Sequence, residues 1–262
     1  MREIRSRDNA TLKRLHALAE SARDRRKHNE TVLDGAHLIE AALDHDWPLK
    51  ALFVSDSGLR RPEHQHLLQR APAAVEQVQL SDALFAHISP VDTPSGLVAL
   101  IELPPAAAPG ALDADVLVLD GVQDPGNLGT ILRTAAAAGL RDVLLTEGCA
   151  QAWAPRVLRA GMGAHFVLRI EERVDAGARL AGYPGCRVAT ALADDAGPVY
   201  ALDLQGPVAW LFGAEGQGLS APLLAAADRR VMIPMAAGVE SLNVGAAVAV
   251  CLFEQRRQRS LR

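Results

Sequence analysis

Five polar side chains that can hold or polarise a reacting group fall in three glycine-bearing turns. Asn127 and Arg133 lie in DPGNLGTILRTAAAAG (124–139), Glu215 in WLFGAEGQGLS (210–220), and Ser241 and Asn243 in IPMAAGVESLNVGAA (233–247). The first turn follows the apolar run VLVLDG (116–121). A strand passing through a glycine turn into a helix commonly holds a nucleotide phosphate, because free N–H groups and the helix dipole face the ligand. Here the glycines at 121, 126 and 129 miss the G-x-G-x-x-G spacing, Pro125 stiffens the turn, and the lysine of a phosphate loop is missing. Glu147, about 20 residues beyond the glycine turn, is the one feature that favours a dinucleotide ribose. Separately, each turn reads as simple loop chemistry. Together they set five polar groups at the carboxyl ends of strands, where open α/β sheets place their ligand crevices.

The elements that would position these turns form two α/β alternations. Leu12, Leu15, Leu18 and Ala22 recur at helical spacing with basic residues between them, which predicts an amphipathic helix in a basic extension, residues 1–30. Strands are expected at Thr31–Leu33, Ala51–Val54, Val75–Leu80 and Gly96–Leu103. They alternate with helices at 36–44, 64–70 and 81–87, giving a small domain over 31–103. PPAAAPGALDAD, residues 104–115, reads as a linker. Over 116–262 strands are expected at 116–120, 142–146, Phe166–Arg169, 187–191, 208–212 and Arg230–Ile233. The alanine-rich helix before Gly139 suits close packing on a sheet, with Gly139 in a left-handed cap. The final helix, from about Ser241 with that residue as N-cap, is apolar nearly all round and must be buried on most sides, by a core or by a partner subunit.

Composition narrows the class. With 49% apolar residues in 262, the chain has the material for a substantial core in one or two domains. Cys149, Cys186 and Cys251 are far apart in sequence and form no C-x-x-C pair, so no disulfide framework or zinc site is indicated and a reducing cytoplasm is expected. No signal peptide or membrane span is legible. The net charge of −4 hides an asymmetry: residues 1–28 carry nine Lys/Arg against four acids, and RRQRSLR (256–262) adds four arginines. Two basic ends on an acidic body fit a polyanion partner, though a solvated helix face and tail would look the same. EHQH (63–66) has no companion ligands and reads as an exposed helix face, and Trp47, Trp153 and Trp210 are too scattered for a stacking platform.

The ordered trio of turns resembles motifs 1, 2 and 3 of the SpoU/TrmH family of RNA ribose 2′-O-methyltransferases, within the SPOUT class. Motif 1 is matched by DPGNLGTILRTAAAAG, motif 2 by FGAEGQGLS and motif 3 by IPMAAGVESLNVGAAVA. Upstream, VLDGAHLIEAAL (32–43) and DTPSGLVAL (92–100) resemble the start and finish of the small RNA-binding domain, similar to ribosomal protein L30e, that precedes many members. Three departures stand out: Gly245 and Gly161 replace a common Ser, and Asp34 replaces the more usual Glu.

The resemblance implies an L30e-like α/β substrate-binding domain followed by a SPOUT α/β domain with a C-terminal trefoil knot, a fold that composition and periodicity do not reveal. It also implies a cytoplasmic homodimer that uses S-adenosyl-L-methionine on RNA, with rRNA preferred and tRNA the nearer alternative. The cofactor would rest on Leu192, Gly213, Ile233 and Leu242. The catalytic set carried over is Arg133, Asn127, Glu215, Ser241 and Asn243. A guanidinium stays protonated in proteins, so Arg133 is expected to bind the phosphate beside the target ribose and stabilise alkoxide charge, oriented by Glu215. An RNA-binding factor that kept the fold without turnover, and a NAD-type oxidoreductase, are the readings from other classes.

Overall fold

The computed structural model describes residues 1–91, 93–105, 110–193 and 195–260. Part of the linker expected at 104–115, Asp92 of the DTPSGLVAL segment, and Leu261 and Arg262 of the basic C-terminus lie outside the described residues. The chain divides into two compact units. One comprises Met1–Pro105 with Trp153–Phe166, the other Ala106–Ala152 with Val167–Arg262.

The first unit runs β1 (Arg2–Ile4), α1 (Ala10–Glu20), α2 (Ala22–His28), β2 (Glu30–Asp34), α3 (Ala36–Asp44), β3 (Leu49–Ser55), α4 (Pro62–Arg70), β4 (Glu76–Leu80), α5 (Asp82–Ile88) and β5 (Leu97–Glu102). Its sheet has the order β1-β4-β3-β5-β2, with β5 antiparallel to both neighbours. Leu12, Leu15 and Leu18 form the expected apolar stripe of α1 and enter a core with Phe53, Val78 and Phe85. One expectation from sequence is corrected here. His64 is buried rather than on an exposed face, its Nδ1 3.0 Å from the Gly58 carbonyl oxygen. Trp47 and Trp153, remote in sequence, meet with ring centroids 5.6 Å apart, and Phe166 lies 5.2 Å from Trp47.

The chain continues through β6 (Val116–Asp120), α6 (Pro125–Ala138), β7 (Asp142–Leu145), α7 (Pro155–Gly161), β8 (Arg169–Glu172), α8 (Ala176–Arg179), β9 (Cys186–Thr190), β10 (Gly197–Pro198), β11 (Val208–Gly213), α9 (Ala221–Ala226), β12 (Arg229–Met232) and α10 (Val244–Ser260). Of these, α7 belongs to the first unit. The second unit is built on a seven-stranded sheet, order β10-β12-β9-β11-β6-β7-β8, parallel at every pairing. Its central strands read as almost unbroken apolar runs, as sheets covered on both faces require. The strand expected at Phe166–Arg169 is displaced: residues 164–166 form a 3-10 turn, because Phe166 joins the tryptophan cluster, and pairing begins at Arg169, whose guanidinium grips Asp142 at 2.7 and 2.6 Å. Gly139 does take the left-handed cap, with φ of 92°.

The last helix also differs from expectation. It begins at Val244, not Ser241; in the single chain it packs through Val248, Cys251 and Leu252, while Phe253 is 46% exposed. Two polar residues of the packed face have partners, Gln255 accepting from Trp210 Nε1 at 2.7 Å and Glu254 from Arg257. Among the described residues no helix is long and apolar enough to cross a membrane, and no cluster of His, Cys, Asp and Glu could hold a metal ion.

Candidate active site

A parallel sheet brings every strand's carboxyl end to one edge, so the three turns start from the same side of the sheet. The strands β12, β9, β11 and β6 are consecutive neighbours, and from their ends run the segments bearing Ile233, Leu192, Gly213 and Asn127. Gly213 closes β11 where the chain doubles back. A Cβ there would lie 2.0 Å from the carbonyl carbon of Gly218 and 2.2 Å from the Leu219 nitrogen, so only glycine fits. Leu192 and Leu242 are 67% and 39% exposed and Ile233 is half-buried, which leaves apolar surface on the loops of this edge. The turns 213–220 and 233–243 carry Glu215 and Glu240 and no lysine or arginine.

The helix entries are fixed by capping. Asp124 caps α6, accepting the Asn127 N–H at 2.7 Å, with Pro125 in the first turn where its missing N–H costs nothing. Asp124 was not singled out from sequence, although an Asx residue before proline at a strand-to-helix turn signals this cap. At α10 the capping residue is Asn243: its Oδ1 accepts from Gly245 N at 2.9 Å and Ala246 N at 3.3 Å. Ser241, expected as the N-cap, is exposed, and its hydroxyl makes no hydrogen bond among the described residues. A Cβ at Gly245 would stand 3.1 Å from the capping oxygen of Asn243, which would have to shift slightly to admit one.

The remaining valences join the three turns. Glu215 Oε1 accepts from Asn127 Nδ2 at 3.1 Å, from Asn243 Nδ2 at 2.7 Å and from the Val244 N–H at 3.3 Å. Asn243 Nδ2 also donates to Asn127 Oδ1 at 3.0 Å. Each asparagine thus uses both ends of its amide, which fixes its orientation. Three of the five expected polar residues therefore meet, from motifs that are 88 and 28 positions apart. Arg133 does not join them. It stands exposed on α6, six residues and about 9 Å of helix rise beyond Asn127. Among the described residues it has no ion pair, so the expected Glu215–Arg133 pairing is corrected: the carboxylate is taken up by amide donors at the entries to α6 and α10.

In the first unit, the basic segment sorts into neutralised and free charges. Arg2, Arg5, Lys13 and Arg14 pair with Glu76, Glu3, Asp8 and Glu30, and Arg25 is buried, donating to the Leu18 and Ala19 carbonyls. Arg23, Arg26 and Lys27 of α2 are exposed and make no ion pair among the described residues. At the end of β2, Asp34 is pushed above the usual carboxylate range by burial, partly offset by its bond from Ser95 Oγ at 2.8 Å and by Arg159.

The carboxyl edge of this parallel α/β sheet gathers two capped helix entries and a glycine-shaped turn, the place where open α/β sheets bind their ligands, and its glycine spacing is not that of a dinucleotide loop. The model of the SpoU rRNA Methylase family matches residues 115–253, and that of the MRM3-like substrate binding domain matches residues 9–99. The chain belongs to the SpoU rRNA methylase family. It is 31% identical to the 23S rRNA (guanosine(2553)-2'-O)-methyltransferase RlmP of Bacillus subtilis, over 98% of this chain and 100% of that protein. It is also 31% identical to the mitochondrial rRNA methyltransferase 3 of Xenopus laevis, over 94% and 74%. Among solved structures, the SpoU methyltransferase AviRb of Streptomyces viridochromogenes, in complex with AdoMet, superposes with a TM-score of 0.86 at 28% identity, covering 96% of this chain and 98% of that one.

Proposed function

We propose that this chain transfers a methyl group from S-adenosylmethionine to a ribose 2′-hydroxyl of ribosomal RNA. The observation that carries the reading is the Asn127–Glu215–Asn243 cluster, which ties all three turns together beside the glycine-shaped end of β11. Gly213, Ile233, Leu192 and Leu242 would hold the cofactor. Their apolar surface and the acidic character of the adjoining turns suit a ligand with a neutral base, no phosphate and a positive sulfonium. That cofactor supplies an activated methyl group. The chain's task is to hold the 2′-hydroxyl in line and ease its deprotonation. Arg133, exposed and free of an ion pair among the described residues, binds the phosphate next to the target ribose and stabilises charge growing on the 2′-oxygen. The proton leaves through that phosphate or through water. Asn127, Glu215 and Asn243 act by positioning, and Ser241 stays close enough in sequence to contact the ribose when RNA is bound.

The wider arrangement belongs to the same reading. Residues 31–103 form an L30e-like RNA-binding domain into whose sheet and core the basic segment 1–30 is built through β1 and α1, and 104–115 leads to a SPOUT domain, 116–262 apart from the 153–166 stretch of the first unit, with a trefoil-knotted C-terminus. The apolar run of α10, whose Phe253 is 46% exposed in the single chain, supports a homodimer that would cover it, and the three scattered free cysteines support a cytoplasmic setting. The test is methyl incorporation from labelled S-adenosylmethionine into rRNA and tRNA, with the 2′-O-methyl site mapped by its disappearance on gene deletion. Incorporation into rRNA is expected. No transfer to any RNA would overturn the catalytic reading, and transfer to tRNA alone would overturn the substrate.

A further inference from the structure

Asp120 ends β6, and its carboxylate is where three loops of the ligand edge meet. Oδ1 accepts the Thr146 hydroxyl at 2.8 Å and Oδ2 accepts the Ser220 N–H at 2.8 Å. Thr146, just past β7, in turn accepts the Gly121 N–H at 3.1 Å. In the sheet Asp120 lies opposite Gly213. The turn after β11 therefore leaves beside Asp120 and carries Glu215 outward. It closes on itself through the Gly218 N–H to Ala214 carbonyl bond at 2.9 Å, then returns to the same carboxylate at Ser220. Among the described residues Asp120 has no ion pair, and each of its oxygens is engaged by a neutral donor. A half-buried carboxylate without a counter-charge costs desolvation energy that hydrogen bonds only partly offset, and an apolar residue at the end of a buried strand would avoid that cost. What the carboxylate gives in exchange is geometry: two oriented acceptors that clamp the base of one turn to the ends of two strands.

We propose that Asp120 is a positioning residue for methyl transfer. It holds the turn 213–220 closed so that the Gly213 backbone faces the cofactor and Glu215 reaches Asn127 and Asn243. This rests on the methyltransferase reading above.

The test compares Asp120→Ala, Asp120→Asn and Ser220→Pro by calorimetric S-adenosylmethionine binding, methyl-transfer kinetics, RNA affinity and melting temperature. Ser220→Pro removes one amide donor and leaves Asp120 in place, and the Ser220 φ of −61° is one proline adopts. Loss of a clamp bond to a charged acceptor should weaken cofactor affinity about 10-fold or more in Asp120→Ala and Ser220→Pro. RNA affinity should hold. Asparagine can still accept from Ser220 while donating to Thr146 Oγ1, whose hydroxyl can turn to the Glu147 carbonyl 3.3 Å away, so Asp120→Asn should recover most of the affinity. Wild-type cofactor affinity in Asp120→Ala or Ser220→Pro would overturn the inference. So would parallel loss of melting temperature, RNA binding and cofactor binding with no recovery in Asp120→Asn. A wild-type chain that binds no S-adenosylmethionine would instead overturn the reading on which the inference rests.

Discussion

Replacing Glu215 separates two accounts of its role that the sequence left joined. In the structure Oε1 receives three N–H donors, two from asparagine amides and one from the Val244 backbone. Hydrogen bonds to a charged acceptor contribute about 1.5–3 kcal/mol when shielded, but this carboxylate is exposed, so about 1 kcal/mol each is the appropriate scale. The three share one oxygen and do not add fully. A loss of about 2 kcal/mol, or roughly 30-fold in the population of the closed cluster, is expected for Glu215→Ala. Glu215→Gln keeps an acceptor oxygen in place and should lose only a few-fold. The assay is single-turnover methyl transfer on saturating RNA, alongside melting temperature, which should fall by only several degrees, as a loss of about 2 kcal/mol requires in a chain of this size. If Glu215 worked by pairing with Arg133, removal of its charge would be the damaging step, and Gln would be as poor as Ala. That outcome, or unimpaired turnover in Glu215→Ala, refutes the positioning account.

Arg133→Ala should reduce turnover on the order of 10²- to 10³-fold with cofactor affinity intact, and Arg133→Lys should stay poor at every pH; near-normal turnover in the alanine variant, or lysine activity that rises with pH, would contradict this. Neutralising Arg23, Arg26 and Lys27 to glutamine should flatten the slope of log RNA affinity against log salt by about 2–3, and an unchanged slope would show that α2 is only a solvated face. The Arg257 guanidinium, helped by Gln258, holds Glu254 at about 2, below its ordinary value, so its contribution to stability is full above the ordinary value and lost as pH falls toward about 2. Glu254→Gln should flatten acid unfolding in that window, and an identical acid limb in both proteins would count against it. Phe253→Glu should shift sedimentation from dimer to monomer, and a wild-type chain that sediments as an active monomer would rule out the dimer.

Much of the scaffold could be read from residue pattern because the physics there is local. Unbroken apolar runs such as VLVLD and VAWLF became buried parallel strands, and the Leu12–Leu15–Leu18 stripe became the buried face of α1. The failures share a cause: each depends on what lies across the fold. Phe166 gave up its expected strand because Trp47 was there to receive it, and His64 left the otherwise exposed EHQH face because only the fold shows the Gly58 carbonyl over it. The site divided in the same way. Motif order named Asn127, Glu215 and Asn243, which do meet. The pattern could not say that a single carboxylate oxygen would be shared by two helix entries, nor that Asp120 would tie three loops.

That sharing bears on the chemistry. The amino end of a helix carries partial positive charge and unsatisfied N–H groups, so a carboxylate seated at the start of α10 is stabilised without a cationic partner. Had Glu215 instead been neutralised by Arg133, the guanidinium would reach an incoming RNA phosphate already compensated, and binding would first have to break an ion pair. Holding the acid on amide donors leaves the Arg133 charge uncompensated on the surface of α6. A polyanion can then meet it at no cost beyond its own desolvation. On the proposed function, carboxylate and guanidinium are kept apart by the helix entries: the glutamate would shape the site before RNA arrives, and the arginine would respond only when it does.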